Sequence, residues 1–313
     1  MTESSQNIAN SEFSTTAEFP GEHRSVVRIA DSVVTLHEPL QKACGRVVLV
    51  PGWAGPRSGP ADILVFLASA ISKAGWRVLR LDIPARGDAD GDRAAIGLDE
   101  MIDSALTVAS SDGEDGSRTV FLGMCSGGNV SLGAVTLALE TEDAGVALAN
   151  AGVIALSILP FQPSRSKDIE RRRTWENIKQ YAGKAASPQT WLRLIKGDIN
   201  LDRVKKNVTT SEKPADGARN LKDSDRDIEK ALQQWKGAGL FIWGGGDEEA
   251  GLARAHFEKL HTAGAGDSTS QFHTIPGANH NYYSRAWRAE LAEKIVGFLT
   301  TFSPQRHEGA KNG

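Results

Sequence analysis

Short apolar runs alternate along the chain with longer stretches in which hydrophobic residues recur every three or four positions. Val26–Ile29 and Val33–Leu36, parted by the turn-like Ala30-Asp31-Ser32, read as a β-hairpin. A first parallel strand is expected at Arg46–Val50 (RVVLV). Further strands are expected at Arg77–Leu81, Thr119–Gly123, Ala151–Leu159, Leu240–Gly244 and Phe272–Ile275. Helical spacing appears over Ala61–Ala74, Leu98–Ser110, Asn129–Leu139 and Ala286–Thr300. Strands this apolar need cover on both faces, so the expected class is α/β, a mostly parallel central sheet with helices on both sides.

The alternation lapses between Phe161 and Lys236, where long charged stretches and polar turns replace it. That segment holds 18 Lys and Arg against 11 Asp and Glu, a net +7, while the rest of the chain carries −10. The organisation expected is therefore a core of residues 25–160 and 237–303 interrupted by a helical cap insertion, 161–236. The polar residues 1–24 and 304–313 read as a disordered arm and tail. The middle of the cap, Thr209–Lys222, has the composition of a mobile loop.

The most informative segment is Thr119-Val-Phe-Leu-Gly123-Met124-Cys125-Ser126-Gly127-Gly128-Asn129. A strand runs into a tight turn and then a helix, with small residues two positions either side of one exposed side chain. Centred on Cys125 the flanking residues are Gly123 and Gly127. Centred on Ser126 they would be Met124 and Gly128, and Met124 does not fit, so Cys125 is the expected nucleophile. The start of a helix also favours its thiolate.

Three more expected strands end in loops with polar or glycine-rich content: Pro51-Gly52-Trp53 after the first, Gly245-Gly246-Asp247-Glu248, and Pro276-Gly277-Ala278-Asn279-His280. Among the histidines, His280 alone falls in the short loop between the final strand and the final helix, whereas His273 lies within the strand. The order nucleophile, acid, histidine is that of the serine or cysteine triads built on such sheets.

From Val47 to Phe302, the cap aside, these features resemble the α/β-hydrolase superfamily. The cysteine-centred elbow is similar to those of dienelactone hydrolases and polyhydroxyalkanoate synthases. Together with the cap stretch Thr190–Leu201 it resembles hydrolases associated with exosortase and exopolysaccharide systems, although those often carry Asp where this chain has Ser126. The resemblance implies a triad of Cys125, His280 and Asp247, with Glu248 as reserve acid, and an oxyanion hole from the N–H groups of Trp53 and Ser126. Asp82-Ile-Pro-Ala-Arg86-Gly87-Asp88 resembles a structural turn of the same superfamily.

Such a triad implies hydrolysis of a carboxylic ester or thioester through an acyl-cysteine. Acyl transfer from the same site, or a catalytically silent binding protein, are the alternatives. The basic cap, with Arg171-Arg172-Arg173 and Lys205-Lys206, fits either an anionic small-molecule or carrier-linked acyl substrate or plain solvated helix faces. Trp175, Trp191 and Trp235 read as cap-to-core packing.

A net charge of −3 gives no overall basic field for nucleic acid. Neither a phosphate-binding glycine motif nor metal-ligand histidine spacing occurs, so no cofactor and no metal are expected. With no secretory signal pattern and no apolar run long enough for a membrane span, a cytoplasmic protein is expected. The two cysteines, Cys44 and Cys125, fall at opposite ends of a parallel sheet, about 15 Å apart and too far for a disulfide.

Overall fold

A computed structural model describes residues 15–93, 95–111, 118–140, 148, 151–161, 224–263 and 269–302. Its strands are β1 (Thr15–Phe19), β2 (Glu22–Ile29), β3 (Ser32–Pro39), β4 (Gly45–Val50), β5 (Arg77–Asp82), β6 (Arg118–Met124), β7 (Gly152–Leu156), β8 (Gly239–Gly244) and β9 (Ser270–Ile275). The α-helices are α1 (Ile63–Lys73), α2 (Leu98–Ser111), α3 (Ser126–Glu140), α4 (Ile228–Gln234), α5 (Ala250–Ala263) and α6 (Arg285–Thr301).

The nine strands among the described residues join one sheet in the order β1-β2-β3-β5-β4-β6-β7-β8-β9. From β5 to β9 the pairings are parallel, and β1, β2 and β3 extend that edge antiparallel. The sequence spaces its parallel strands with helices because each crossover must return over a face of the sheet. β6 lies between β4, with Val50 opposite Gly123, and β7, with Leu156 opposite Met124. Loops leaving β4, β6, β8 and β9 consequently emerge along one carboxyl edge, where open α/β sheets hold their ligands.

Strand residues alternate between two cores, as the two-residue period requires. Val47, Leu49, Val120, Leu122, Ile154 and Leu240 pack in one cluster with Ile63, Leu64 and Leu67 of α1 and Leu291, Ile295 and Phe298 of α6. On the other face, Phe241 and Trp243 of β8 meet Phe257 of α5, at ring separations of 5.8 Å and 6.3 Å. Burying one such ring is worth about 2 to 3 kcal/mol, so α5 is anchored largely by Phe257.

Several boundaries differ from expectation. Thr15–Phe19 and Glu22 belong to strands rather than to a disordered arm. β1 was hidden because its sequence, TTAEF, carries almost no apolar signal, and its pairing to β2 supplies the order instead. Helix α5 was not foreseen, although Ala250, Ala253 and Phe257 are buried at helical spacing. Helix α1 starts at Ile63, two residues later than expected, after a short 3₁₀ turn in which Ala61 and Asp62 take positive φ.

The chain divides into one unit of Met1–Pro160 with Ser224–Gly313 and a second of Phe161–Asp223. Residues 224–236, expected in the cap, therefore belong with the sheet. Asp99 of α2 accepts from the Ser224 hydroxyl at 2.6 Å and the Asp225 amide at 2.9 Å, and Ile228, Leu232 and Trp235 are buried. The remainder of the expected cap, from residue 162 to 223, lies outside the described residues, as do Arg171–Arg173, Lys205, Lys206, Trp175, Trp191 and the stretch Thr190–Leu201. Among the described residues no helix is long and apolar enough to cross a membrane. Cys44 and Cys125 are both free thiols.

Candidate active site

Cys125 occupies the turn between β6 and α3 with φ at 56°, a left-handed conformation that costs a non-glycine residue about 1 to 3 kcal/mol. Its amide donates to the Leu156 carbonyl at 2.8 Å, and its carbonyl accepts from the Gly128 amide at 2.9 Å. The two flanking glycines are required by contact. A Cβ on Gly123 would sit 1.9 Å from the Gly127 carbonyl oxygen, and one on Gly127 would sit 2.5 Å from the carbonyl oxygens of Val50 and Pro51. The turn thus closes on the start of the β4 loop.

Asp247 and His280 come from neighbouring loops that are bonded to each other. The Gly245 amide donates to the Ile275 carbonyl and the Gly246 amide to the Ala278 carbonyl, both at 2.8 Å. Across this pairing the His280 Nδ1 lies 2.6 Å from Asp247 Oδ2. The other Asp247 oxygen accepts from the Glu249 amide at 3.2 Å, which fixes the carboxylate plane. Glu248 is exposed, and the carboxylate bonded to His280 is that of Asp247. His273 lies apart on β9, its ring 3.4 Å from Gln271.

With Nδ1 committed to Asp247, His280 also interacts with the Cys125 side chain, and each shifts the other's proton affinity. Burial alone would raise the Cys125 thiol, but the hydrogen bond and charge of His280 and the Ser126 amide bring it below its ordinary value. The bond to Asp247, followed by that to Cys125, pushes His280 up to about 10 against the opposing effect of burial. Burial also acts to raise the Asp247 carboxyl, and His280 overrides it, so Asp247 is held below the usual carboxylate value.

The β4 loop brings Trp53 beside the elbow. Its N–H donates to the Ser126 hydroxyl oxygen at 2.6 Å, and its carbonyl accepts from Arg86 Nε at 2.8 Å. The buried Arg86 guanidinium also lies over the Trp53 ring, 5.6 Å from its centroid. Asp82, fully buried at the end of β5, accepts from the Arg57 and Asp88 amides and pairs with the Arg57 guanidinium. The turn read from sequence as structural thereby ties the Trp53 loop to β5. Sequence reasoning missed Ser157 and Tyr282. The Ser157 hydroxyl lies 3.0 Å from both the His280 carbonyl and the Tyr282 hydroxyl, which itself donates to the Ile242 carbonyl at 3.0 Å. Among the described residues no group of acidic, histidine or cysteine side chains is arranged to hold a metal ion.

The model of the Alpha/beta hydrolase family matches residues 47–294. No curated protein was found to match the chain. Among solved structures the chain is similar to dienelactone hydrolase from Anabaena variabilis, with 13% identity, 90% of this chain and 98% of that chain covered, and a TM-score of 0.55. It is similar also to Est1E from Butyrivibrio proteoclasticus with ferulic acid bound (17% identity, 88% and 97% covered, TM-score 0.56). A third is the monoacylglycerol lipase of Paleococcus ferrophilus (17% identity, 86% and 98% covered, TM-score 0.54). Identities this low speak for the fold alone. The family match, by contrast, takes in the elbow and both partner loops, and the chain belongs to the Alpha/beta hydrolase family.

Proposed function

We propose that this protein hydrolyses a carboxylic ester or thioester through a Cys125-His280-Asp247 triad and an acyl-cysteine intermediate. The observation that carries the reading is the 2.6 Å bond between Asp247 and His280, the histidine whose influence lowers the Cys125 thiol below its ordinary value. His280 accepts the Cys125 thiol proton while Asp247 holds the imidazole. The Cys125 sulfur forms a bond to the substrate carbonyl carbon while the carbonyl electron pair moves onto oxygen. Collapse of that adduct breaks the bond to the leaving group, which takes the proton of His280. The neutral imidazole then removes a proton from water, hydroxide attacks the thioester, and the acid and the Cys125–His280 pair are released.

A thioester is also open to amines and alcohols, so acyl transfer is the second reading of the same intermediate. The basic composition of residues 161–236 supports an anionic or carrier-linked acyl substrate, and the resemblance of Thr190–Leu201 supports a role beside exopolysaccharide systems. A cytoplasmic setting suits a nucleophile that must stay a free thiol.

Alkylation with iodoacetamide tests the activated thiol. The wild-type protein is expected to be modified at Cys125 at neutral pH, His280→Ala about tenfold or more slowly, and Cys125→Ala not at that position. Equal, slow labelling of wild type and His280→Ala would remove the basis for the triad. Turnover of p-nitrophenyl esters that disappears in Cys125→Ala would establish the reaction class.

A further inference from the structure

One of the two backbone donors expected at the oxyanion position is already engaged. The Trp53 N–H is directed at the Ser126 Oγ at 2.6 Å. A hydroxyl carries one hydrogen and two lone pairs. Trp53 uses one lone pair, and the hydrogen is donated to no acceptor among the described residues. This unspent donor belongs to the residue next to the nucleophile, at the first position of α3.

We propose that the Ser126 hydroxyl, held by the Trp53 amide, is the side-chain donor to the oxyanion formed when Cys125 attacks its acyl substrate. The assignment rests on the acyl-cysteine reading given above. It follows from where the N–H of Trp53 points: an oxyanion accepting that hydrogen directly would have to occupy the place of the Ser126 oxygen. With Oγ in that place, donation reaches the substrate one atom further out, through the O–H.

Accepting from an amide polarises the hydroxyl and strengthens its own donation. The amide-hydroxyl pair is also held on both sides. Arg86 fixes the Trp53 carbonyl, and the 2.5 Å clearance between a Gly127 Cβ and the Val50 and Pro51 oxygens shows how closely the loop abuts the elbow. A donor fixed before the reaction begins needs no reorganisation as charge develops. In the step itself the carbon–sulfur bond forms, the carbonyl π pair becomes a lone pair on oxygen, and Ser126 keeps its proton while donating to that oxygen. Expulsion of the leaving group restores the carbonyl, with the leaving group protonated by His280.

The experiment compares two reactions of Cys125 in the full-length protein. Alkylation by iodoacetamide displaces iodide at a saturated carbon and forms no oxyanion, whereas acylation by p-nitrophenyl acetate forms one. Ser126→Ala is expected to slow the p-nitrophenolate burst about tenfold to a hundredfold while alkylation keeps its wild-type rate and pH midpoint. Ser126→Thr, which retains the hydroxyl, is expected to recover most of the burst. Unchanged alkylation in Ser126→Ala doubles as the control that the elbow has folded. A burst in Ser126→Ala equal to or faster than wild type overturns the proposal, the faster result meaning that the hydroxyl merely blocks Trp53. Neither burst nor turnover of p-nitrophenyl acetate by wild-type protein overturns the acyl-cysteine reading itself, and the Ser126 role with it.

Discussion

The Ser157 hydroxyl lies 3.0 Å from the backbone carbonyl of His280, joining the end of β7 to the loop that presents the imidazole. Ser157 adopts φ of 46°, its amide donates to the Ile242 carbonyl at 2.8 Å, and it is fully buried. A residue held this firmly can fix the height of His280 above the sheet. Ser157→Ala is therefore expected to lower kcat about three- to tenfold with KM nearly unchanged, and to cost about 1 to 2 kcal/mol of stability from the lost buried hydrogen bond. Steady-state kinetics on a p-nitrophenyl ester alongside urea unfolding would check both.

The charge state of the thiol gives a pH signature. Because Cys125 sits below its ordinary value of 9.0, its alkylation rate should reach half-maximum at a pH below that value. Removing the imidazole in His280→Ala leaves burial, the largest influence, without its main opponent, so the midpoint should move up past 9.0. A midpoint that stays put in His280→Ala would show that the histidine does not set the thiolate.

Arg86 holds the Trp53 loop, donating to the Trp53 carbonyl and lying over its ring. Lysine keeps the charge but cannot reproduce a planar guanidinium that donates through Nε while lying over a ring. Arg86→Lys should reduce acylation by p-nitrophenyl acetate about tenfold and leave iodoacetamide labelling of Cys125 unaffected. Loss of both reactions together would mean that Arg86 holds the elbow itself.

A second histidine makes the fold acid-sensitive. His37, with no exposed side-chain surface, lies 2.9 Å from Glu22 through Nδ1, and its Nε2 accepts from Arg80 Nε at 3.3 Å. Burial, opposed in part by Glu22 and assisted by Arg80 and Arg24, brings it down to about 4. The unfolded chain binds a proton near pH 6.5 that the folded chain refuses until about 4, so stability rises with pH across that window and falls on acidification. The loss should approach about 3 kcal/mol by pH 4. Urea unfolding of wild type and His37→Gln between pH 7 and 4 would show it, the variant giving the flatter profile.

The sheet and the elbow were legible because each rests on a strong local constraint. Apolar strands recur between helices, and Gly123 and Gly127 are the residues a close backbone crossing demands. His280 was legible from its place after the last strand. What stayed hidden depends on contacts distant in sequence. Thr15–Phe19 is ordered by its partner β2, α5 is amphipathic only through Ala250, Ala253 and Phe257, and residues 224–236 are drawn to the sheet by Asp99. Ser157 lies 123 positions before His280, and the Ser126 hydroxyl meets Trp53 across 73. No periodicity encodes such pairs.

The two amide bonds that link the Gly245-Gly246 turn to Ile275 and Ala278 make the acid and the base travel as one piece. A disturbance in either loop shifts Asp247 and His280 together and leaves their mutual bond intact. The adjustable distance in this site is then the gap between imidazole and sulfur, and chain variation that tunes reactivity should accumulate around β7, which separates the β6 elbow from the β8 and β9 loops, rather than between the two loops.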